Sequence, residues 1–277
     1  MSQKSILITG CSSGIGLAAA RNLRARGWRV FASCRNPDDC KRLNAEGFDS
    51  PRIELRDAES IRSGLQEVLA ATGGTLDALF NNGARGMPGA IEDLPAAGLR
   101  DLMESNVIGW HDLTRQVIPV MRAQGYGRIV QNSSVLGYVS MRYRGAYVAS
   151  KHALEGLTDS MRIELRDTPI HVSLVEPGPI TSDMRKNNAA QFFEWIDWEN
   201  SAFAEDYRNG LVKRFTAKEE GLDPFELPAE AVCNKLIHAL EANRPRARYR
   251  VTTPAHMMNV FRRLLPTSLL DWVIAKA

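Results

Sequence analysis

Short apolar runs alternate with longer amphipathic stretches along most of the chain. The apolar runs predict β-strands at Ile6–Thr9, Arg29–Ser33, Arg52–Leu55, Asp77–Asn81, Arg128–Asn132, His171–Val175 and Tyr249–Thr252. The periodic segments between them predict helices, chiefly at Ile15–Arg26, Asp57–Ala71, Leu99–Gln124 and Ala149–Arg166. Such alternation is typical of a parallel sheet with helices on both faces. We therefore expect a single α/β domain with a doubly wound parallel sheet of the Rossmann type.

Two segments depart from this alternation. The first, from Asp183 to about Leu227, has an aromatic group made up of Phe192, Phe193, Trp195 and Trp198. It predicts a helical substrate lid that covers an apolar substrate, although surface helices that complete the core or a subunit contact fit the same pattern. The second, residues 254–277, predicts a C-terminal extension that packs on the domain or contacts a membrane.

Bulk composition argues against several classes of protein. The 277 residues include 35 basic and 32 acidic ones, a net charge of +3 without a basic stripe, so nucleic-acid binding is not expected. No apolar run is long enough for an integral membrane segment, and the chain enters its first strand without an apolar signal region, so a cytoplasmic location is expected. Scattered histidines and four cysteines without a C-x-x-C pair indicate reduced thiols and no metal site.

A glycine-rich loop links the first predicted strand to the first helix. Its sequence is Thr9-Gly10-Cys11-Ser12-Ser13-Gly14-Ile15-Gly16. Glycines let the backbone approach a pyrophosphate, and the free N–H groups of the helix start favour its negative charge. A tight turn would also require glycine, but the position directly after a strand favours a dinucleotide site.

The second predicted strand ends at Ser33-Cys34-Arg35. Sites for NAD usually have an acidic residue there to bind the ribose 2′-hydroxyl. Here neither Ser33 nor Cys34 is acidic, and the Arg35 guanidinium suits the 2′-phosphate of NADP(H). The alternative is a solvated surface arginine.

A tyrosine and a lysine lie four positions apart at the start of a predicted helix. Tyr147 and Lys151 therefore share one helix face, where an ammonium would lower the pKa of the phenol and let it exchange a proton near neutral pH. Ser134 follows the strand that ends at Asn132, where its hydroxyl would face a substrate oxygen. A surface pair on an amphipathic helix is the alternative for Tyr147 and Lys151.

Taken in order, these motifs resemble the short-chain dehydrogenase/reductase family over roughly Ser5 to Ser182. The matching motifs are the glycine loop, Asn81-Asn82-Gly83-Ala84, Ser105-Asn106-Val107, Ser133-Ser134, Tyr147-x-x-x-Lys151 and Pro177-Gly178-Pro179-Ile180. The resemblance implies a catalytic tetrad with Tyr147 as acid/base, Ser134 as the substrate-oxygen partner, Lys151 on the nicotinamide ribose, and Asn106 supporting a water beside Lys151. Ser134 is preferred to Ser133 because the family places its serine thirteen residues before the tyrosine.

The resemblance also implies the cofactor site. Its expected residues are Gly10, Ser12, Ser13, Gly14, Ile15, Gly16, Arg35, Glu54, Asn82, Gly83, Tyr147, Lys151, Pro177, Gly178, Ile180 and Ser182. Two of these positions depart from the family's pattern. Gly83-Ala84 reverses the usual order of alanine and glycine, and Glu54 stands where many members have an aspartate that contacts adenine.

The sequence fits more than one activity within the family, and one role outside catalysis. The run Cys34-Arg35-Asn36-Pro37 and the extended C-terminus resemble NADP(H)-dependent aldehyde reductases, retinol dehydrogenases and 17β-hydroxysteroid dehydrogenases. The expected activity is hydride transfer between NADP(H) and an apolar aldehyde, ketone or alcohol; an NAD(P)-dependent steroid or retinol dehydrogenase is the runner-up. A cofactor-binding regulator without turnover would be expected to lack Tyr147 or Lys151. Helices Leu99–Gln124 and Ala149–Arg166 are where family members usually pair, which implies a homodimer or homotetramer.

Overall fold

The computed structural model describes residues 3–217 and 223–276. Within these residues, six parallel strands form one sheet in the order β2-β1-β3-β4-β5-β6. The strands are β1 (Ser5–Ile8), β2 (Arg29–Ala32), β3 (Ala78–Asn81), β4 (Gly127–Asn132), β5 (Ile170–Pro177) and β6 (Arg248–Val251). The predicted doubly wound parallel sheet is confirmed.

The helices alternate with the strands over most of the chain. They are α1 (Gly14–Ala25), α2 (Pro37–Ala45), α3 (Ala58–Thr72), α4 (Ala96–Met103), α5 (Gly109–Gln124), α6 (Gly145–Glu164), α7 (Met184–Trp195), α8 (Ala204–Tyr207), α9 (Lys213–Thr216), α10 (Glu230–Glu241), α11 (Thr253–Leu264) and α12 (Thr267–Ala275). Two π-helical turns, Glu104–Ile108 and Arg208–Val212, join α4 to α5 and α8 to α9. Short 3₁₀ turns are formed by Val135–Gly137 and Trp198–Asn200.

The sheet is buried on both faces, which explains the continuous apolar runs. Ile6 and Ile8 pack on one face with side chains of α1 and α10, whereas Leu7 between them packs on the other face with side chains of α3 and α5. Side chains alternate along a strand, so a strand covered on both sides needs apolar residues at every position.

The predicted strand Arg52–Leu55 is wrong. This segment runs beside β2, but it makes only isolated parallel bridges, Phe31 with Asp49 and Cys34 with Arg52. Pro51 lies between the two bridges and has no N–H to donate, so the ladder does not continue there.

The predicted helix Leu99–Gln124 is interrupted. A π-helical turn, Glu104–Ile108, lies within it, and a Cβ on Gly109 would come within 1.9 Å of the carbonyl oxygen of Leu55. This contact shows how closely the start of α5 packs against the segment after β2, a tertiary constraint that helical periodicity does not reveal.

The C-terminal extension packs on the domain through its first helix. Tyr138 donates a hydrogen bond of 2.6 Å to the carbonyl of Ala255 at the start of α11. Outward-facing side chains of α11 and α12 include Leu264 and Trp272. Ala277, which the predicted extension included, lies outside the described residues.

Three further features bear on the sequence predictions. None of the helices in the described ranges is both long and apolar enough to cross a membrane. Nor do those ranges hold a group of three or more histidine, cysteine or acidic side chains that could bind a metal ion. Cys11, Cys34, Cys40 and Cys233 are all buried free thiols.

Candidate active site

A cavity of about 700 Å³ opens at the carboxyl ends of the strands. In open parallel sheets ligands bind at this edge, where the strand order reverses, here between β1 and β3. Sixteen of the predicted site residues line the cavity: Gly10, Ser12, Ser13, Gly14, Ile15, Arg35, Glu54, Asn82, Gly83, Ser134, Tyr147, Lys151, Pro177, Gly178, Ile180 and Ser182. Gly16 and Asn106 lie behind this wall and support it.

The glycine loop owes its shape to close backbone contacts. Gly10 has φ +71°, and a Cβ there would lie 2.5 Å from the Cα of Gly83 in the loop after β3. A Cβ on Gly16 would lie 2.3 Å from the carbonyl oxygen of Gly10. The Cα of Gly83 lies against Gly10, and Gly83 has no side chain. The reversed order Gly83-Ala84 therefore still leaves room for the glycine loop. The Ser13 side chain makes no capping bond to α1, so the helix start presents its N–H groups to the cavity.

A hydrogen-bonded brace ties this loop to the neighbouring strands. The Thr9 hydroxyl accepts from the backbone N–H groups of Asn82 and Gly83, and the Asn82 amide donates to the carbonyls of Thr9 and Gly10. The Asn132 amide donates to the Asn82 side-chain oxygen over 2.9 Å. Asn82, predicted to bind cofactor, thus fixes the geometry of the glycine loop.

The end of the cavity next to β2 carries an exposed arginine and a paired carboxylate. Arg35 follows β2 and lines the cavity, and its charge acts on the nearby Glu54. Partial burial opposes ionisation of Glu54, but hydrogen bonds from Arg56 and the charges of Arg56 and Arg35 bring the pKa of its carboxyl below the usual value. Glu54 therefore remains an anion, held by Arg56 and facing Arg35.

The Tyr147 phenol and the Ser134 hydroxyl meet in the cavity wall. Burial raises the pKa of Tyr147 to about 12, and a hydrogen bond with Ser134 acts in the opposite direction. The Ser134 oxygen accepts from the N–H of Leu136 over 3.1 Å, which leaves the serine proton available to a second oxygen. Two O–H groups thus converge where a carbonyl or alcohol oxygen would be held.

The expected effect of Lys151 on the tyrosine is not seen. Its ammonium donates a hydrogen bond of 2.7 Å to the carbonyl of Asn132, and lies 4.4 Å from the centre of the Trp110 ring and 5.6 Å from that of Tyr147. Burial lowers the pKa of Lys151 to about 7, although Glu155 acts to raise it. The predicted lowering of the Tyr147 pKa was wrong for the protein by itself, because burial raises the pKa of the phenol more than the hydrogen bond with Ser134 lowers it.

Asn106 lies on the π-helical turn before α5. Its amide donates 2.7 Å to the carbonyl of Arg85 and 3.2 Å to the hydroxyl of Ser150, while its oxygen accepts from the N–H of Arg85. Ser150 in turn donates to the carbonyl of Tyr147. Asn106 therefore connects the loop after β3 to the first turn of α6, which carries Tyr147 and Lys151.

The segment after β5 closes the other end of the cavity. Ile180 forms a parallel bridge with Leu227, and the N–H of Thr181 donates to the Leu227 carbonyl over 3.0 Å. A Cβ on Gly14 would lie 3.1 Å from the Ser182 side chain. The turn of Pro177 to Ser182 therefore lies directly beside the start of α1.

The aromatic side chains of the predicted lid occupy a different place from the one expected. Phe192, Trp195 and Trp198 pack with Tyr207, Phe203 and their neighbours in a cluster that reaches the cavity through Phe215, and about half of the Phe193 side chain is exposed. From the described lid residues, the cavity wall instead receives Asp183, Met184, Asn187, Asn188, Ala190, Gln191, Arg214, Phe215, Asp223 and Glu226. The alternative in which these helices complete a core describes Phe192, Trp195 and Trp198 better. Residues 218–222 of the predicted lid lie outside the described ranges.

Sequence reasoning missed several residues that shape the site. Trp110 donates 2.7 Å to the Gly83 carbonyl and places its ring against Lys151. The carbonyl of Asn132, the hydroxyl of Ser150 and the guanidinium of Arg144 also escaped prediction. These residues act through backbone groups or through distant segments, so no local spacing marks them.

A family model matches most of the chain. The model described as short chain dehydrogenase matches residues 4–192, which include every motif from the glycine loop to Ser182. The chain is a short-chain dehydrogenase/reductase. It is therefore an oxidoreductase of this family, as the order of its motifs predicted.

Relatives of this short-chain dehydrogenase/reductase span nearly its whole length. An uncharacterized oxidoreductase of Escherichia coli, YbbO, is 40% identical over 98% of this chain and 94% of its own. An NADPH-dependent 3-dehydrocapnine reductase of Ornithobacterium rhinotracheale is 30% identical over 98% and 95%. The human 17-beta-hydroxysteroid dehydrogenase type 6 is 30% identical over 100% and 89%.

Solved structures confirm the fold. A short-chain dehydrogenase from Streptomyces avermitilis superposes with a TM-score of 0.79 at 29% identity, covering 98% of this chain and 96% of that one. A family member from Burkholderia phymatum, solved in complex with NAD, has a TM-score of 0.77 at 24% identity and covers 95% and 92%.

Proposed function

We propose that this protein is an NADP(H)-dependent oxidoreductase that interconverts an alcohol and an aldehyde or ketone, with Tyr147 as the proton donor and acceptor. The observation that carries the proposal is the meeting of the Tyr147 and Ser134 hydroxyls in a cavity that also contains the glycine loop. A reacting oxygen held there receives two hydrogen bonds, and its developing negative charge is stabilised as they strengthen.

The residues at the other end of the cavity fit a dinucleotide. The cradle between Gly10 and Gly83 excludes side chains, and the uncapped start of α1 suits a pyrophosphate. When bound, the nicotinamide supplies or accepts the hydride. Tyr147 gives a proton to the oxygen during reduction and takes it back during oxidation, while Ser134 orients that oxygen. Lys151, neutral or charged near pH 7, is the adjacent proton-exchanging group.

The preference for NADP(H) over NAD(H) rests on the end of β2. Arg35 lines the cavity there, Ser33 and Cys34 carry no acidic group, and one relative is NADPH-dependent by name. The Arg35 guanidinium supplies the charge and paired donors that a 2′-phosphate needs.

Oxidation of a steroid or retinol alcohol is the second candidate, favoured by similarity to the human 17-beta-hydroxysteroid dehydrogenase type 6.

The expected preference for apolar substrates was based on the four aromatic residues of the predicted lid. Because these four residues do not line the cavity, they no longer support that preference.

Subunit pairing through the helices at Leu99–Gln124 and Ala149–Arg166 is a further part of the proposal. Ile108, Leu157 and Ile163 expose large apolar side chains there, with 48%, 44% and 62% of their surface accessible. Association of such faces would form a homodimer or homotetramer. Light scattering of the purified protein measures this state directly, and a monomer at micromolar concentration contradicts it.

A substrate panel tests the proposed activity. The protein is mixed with NADPH or NADH and a series of carbonyl compounds, from short aldehydes to retinal and oxosteroids, and absorbance of the reduced cofactor is followed; the matching alcohols are tested with the oxidised cofactors. Carbonyl-dependent oxidation of NADPH, faster than of NADH, is expected. Absence of turnover with every compound in both directions would show that the chain binds cofactor without this activity.

A further inference from the structure

The cavity wall contains a guanidinium that the proposed reaction does not use. Arg144 precedes α6 and lies three residues before Tyr147, so both side chains arise within one helical turn and line the same cavity. Its Nη1 atom is fully buried and has no hydrogen-bond partner among the described residues. A buried guanidinium nitrogen normally finds an acceptor, because leaving it unpaired costs free energy.

Two other arginines of the wall, Arg85 and Arg214, are paired, and a third, Arg35, is exposed to solvent. Arg85 forms an ion pair with Asp101 and a hydrogen bond of 3.2 Å with Gln191, and Arg214 forms an ion pair with Asp223. Burial lowers the pKa of Arg144, the charge of Arg214 lowers it further, and the charge of Asp223 acts to raise it. Within the described part of the chain, the buried Nη1 of Arg144 thus lacks an acceptor such as those that Arg85 and Arg214 have.

The chain corner that carries Arg144 is fixed from outside the cavity. Tyr143 adopts φ +61°, which is uncommon for a residue with a side chain, and its carbonyl accepts from the N–H of Gly89 over 3.0 Å. Its phenol donates to Asp206 over 2.8 Å, and its ring packs with Phe203 and Tyr207. The strained corner is thereby held, and with it the start of the Arg144 side chain.

The part of the wall that α7 supplies contains amide side chains. Asn187, Asn188 and Gln191 line the cavity there, beside the apolar Met184 and Ala190. A substrate with a polar end therefore finds hydrogen-bonding partners on α7 as well as at Arg144.

We propose that Arg144 binds an acidic group of the substrate, so that the preferred substrates are carbonyl compounds, or the matching alcohols, that carry a carboxylate or a similar anion close to the reacting carbon. A planar carboxylate takes two parallel hydrogen bonds from a guanidinium and would supply the missing acceptor. This inference rests on the proposed function, since it concerns the same cavity and reaction. It makes Arg144 a specificity-determining residue.

Matched pairs of substrates test this inference. The wild-type enzyme is assayed with NADPH on oxo-acids, with the carbonyl two to five carbons from the acid, and on the methyl esters of the same acids. For at least one chain length we expect kcat/KM to be about 10-fold or more higher for the acid than for its ester, the size of effect that one charge-assisted hydrogen bond gives. Equal kcat/KM values for acid and ester at every length would overturn the inference.

Substitutions of Arg144 test whether the preference for the acid depends on its side chain. Arg144→Met should lower kcat/KM for the acid by about 10-fold or more relative to that for the ester, so that the preference for the acid is lost. The Kd of NADPH, measured by fluorescence, distinguishes this result from an effect on cofactor binding. Arg144→Lys keeps the positive charge but loses the paired N–H donors of the guanidinium, so it should retain part of the preference for the acid. Arg166→Met, which removes an exposed arginine paired with the adjacent Asp167, is the control and should behave as wild type.

The outcomes separate this inference from the proposed function. If neutral carbonyls are reduced and Arg144→Met changes acid and ester equally, or weakens NADPH binding instead, the substrate role of Arg144 is wrong and the proposed function stands. If no carbonyl compound is reduced at all, the proposed function fails and this inference fails with it.

Discussion

The ammonium of Lys151 lies 2.7 Å from the carbonyl oxygen of Asn132, so that the last residue of β4 holds the lysine of α6 against the floor of the cavity. The carbonyl is a single neutral acceptor, and the Trp110 ring lies on another side of the ammonium. These contacts do not compensate fully for burial, which is why the pKa of Lys151 falls to about 7.

The depressed pKa of Lys151 predicts a specific dependence of stability on pH. An unfolded lysine titrates near pH 10.4, so between about 7 and 10 the unfolded chain binds a proton that the folded chain has lost. The free energy of unfolding attributable to this residue therefore rises with pH across that window, by at most about 1.4 kcal/mol per pH unit. Urea unfolding of wild type and Lys151→Met at several pH values gives this contribution as their difference.

The difference between the two proteins should grow in favour of wild type as pH rises from 7 to 10. Lys41→Met, which removes an exposed lysine, is the control for the loss of one positive charge. A difference between wild type and Lys151→Met that stays constant with pH would mean that Lys151 keeps its proton in the folded state.

Tyr147→Phe should lower kcat by at least about 100-fold, because the ring packing is kept and only the transferable proton is lost. Binding of NADPH, followed by fluorescence, should change little, and far-ultraviolet circular dichroism should show an intact fold. Tyr126→Phe is the matched control, since Tyr126 precedes β4 at the amino ends of the strands, whereas the cavity lies at their carboxyl ends. Full activity of Tyr147→Phe would assign the proton transfer to another group.

Arg35→Ala should raise the Kd of NADPH by about 10-fold or more and leave that of NADH nearly unchanged, because only NADPH carries the 2′-phosphate. Titration of both cofactors by fluorescence measures the two effects side by side. Arg62→Ala removes an exposed arginine on α3 and serves as the control. Equal weakening of NADPH and NADH would place Arg35 on a part of the cofactor that both share.

The segment from Asp183 to about Leu227 is proposed as a lid, and proteolysis tests it. Its side chains, including Met184 and Gln191, form one wall of the cavity, and lids are drawn from segments of low local stability. Limited trypsin digestion of the protein alone should cut within this segment first, and NADPH with substrate should slow that cut severalfold. Identical cleavage rates with and without ligands would favour a purely structural role for these helices.

Sequence alone predicted the parts of the molecule that depend on local pattern. The alternation at Ile6, Leu7 and Ile8 shows a strand buried on both faces, and the spacing of Tyr147 and Lys151 places both on one face of α6. The glycine loop was predictable because Gly10 must accept a positive φ and the close approach of Gly83. Each of these signals lies within a few residues of chain or in an ordered set of motifs.

The sequence predictions that proved wrong depend on pairing, packing and burial in the folded chain. Arg52–Leu55 looks like a strand, but Pro51 breaks its pairing with β2. The aromatic residues of the predicted lid fit a cover over the substrate, but Phe192 packs against Tyr207 in a small hydrophobic cluster of their own. The burial of Tyr147 and Lys151 reverses the pKa shift that their spacing alone suggests.

A charged network behind the site provides the last prediction. Arg248 on β6 forms ion pairs with Glu176, Glu155 and Asp159, and Glu176 has no exposed surface at all. Burial and the neighbouring Glu176 raise the pKa of Glu155, which lies one turn after Lys151 on α6. The network therefore joins β5 and β6 to the helix that carries Tyr147 and Lys151.

Arg248→Met should destabilise the protein by roughly 3–5 kcal/mol, because it leaves buried carboxylates with one counter-charge fewer. Urea unfolding measures the loss, and Arg62→Met, which breaks an exposed pair with Glu59, should cost less than about 1 kcal/mol in the same assay. Adding Glu176→Gln to Arg248→Met should restore part of the stability, because it removes a buried charge that the first substitution leaves with Arg250 as its remaining ion-pair partner. A double variant less stable than Arg248→Met would show that Glu176 is held by Arg250 alone and that the loss comes from packing around the Arg248 side chain.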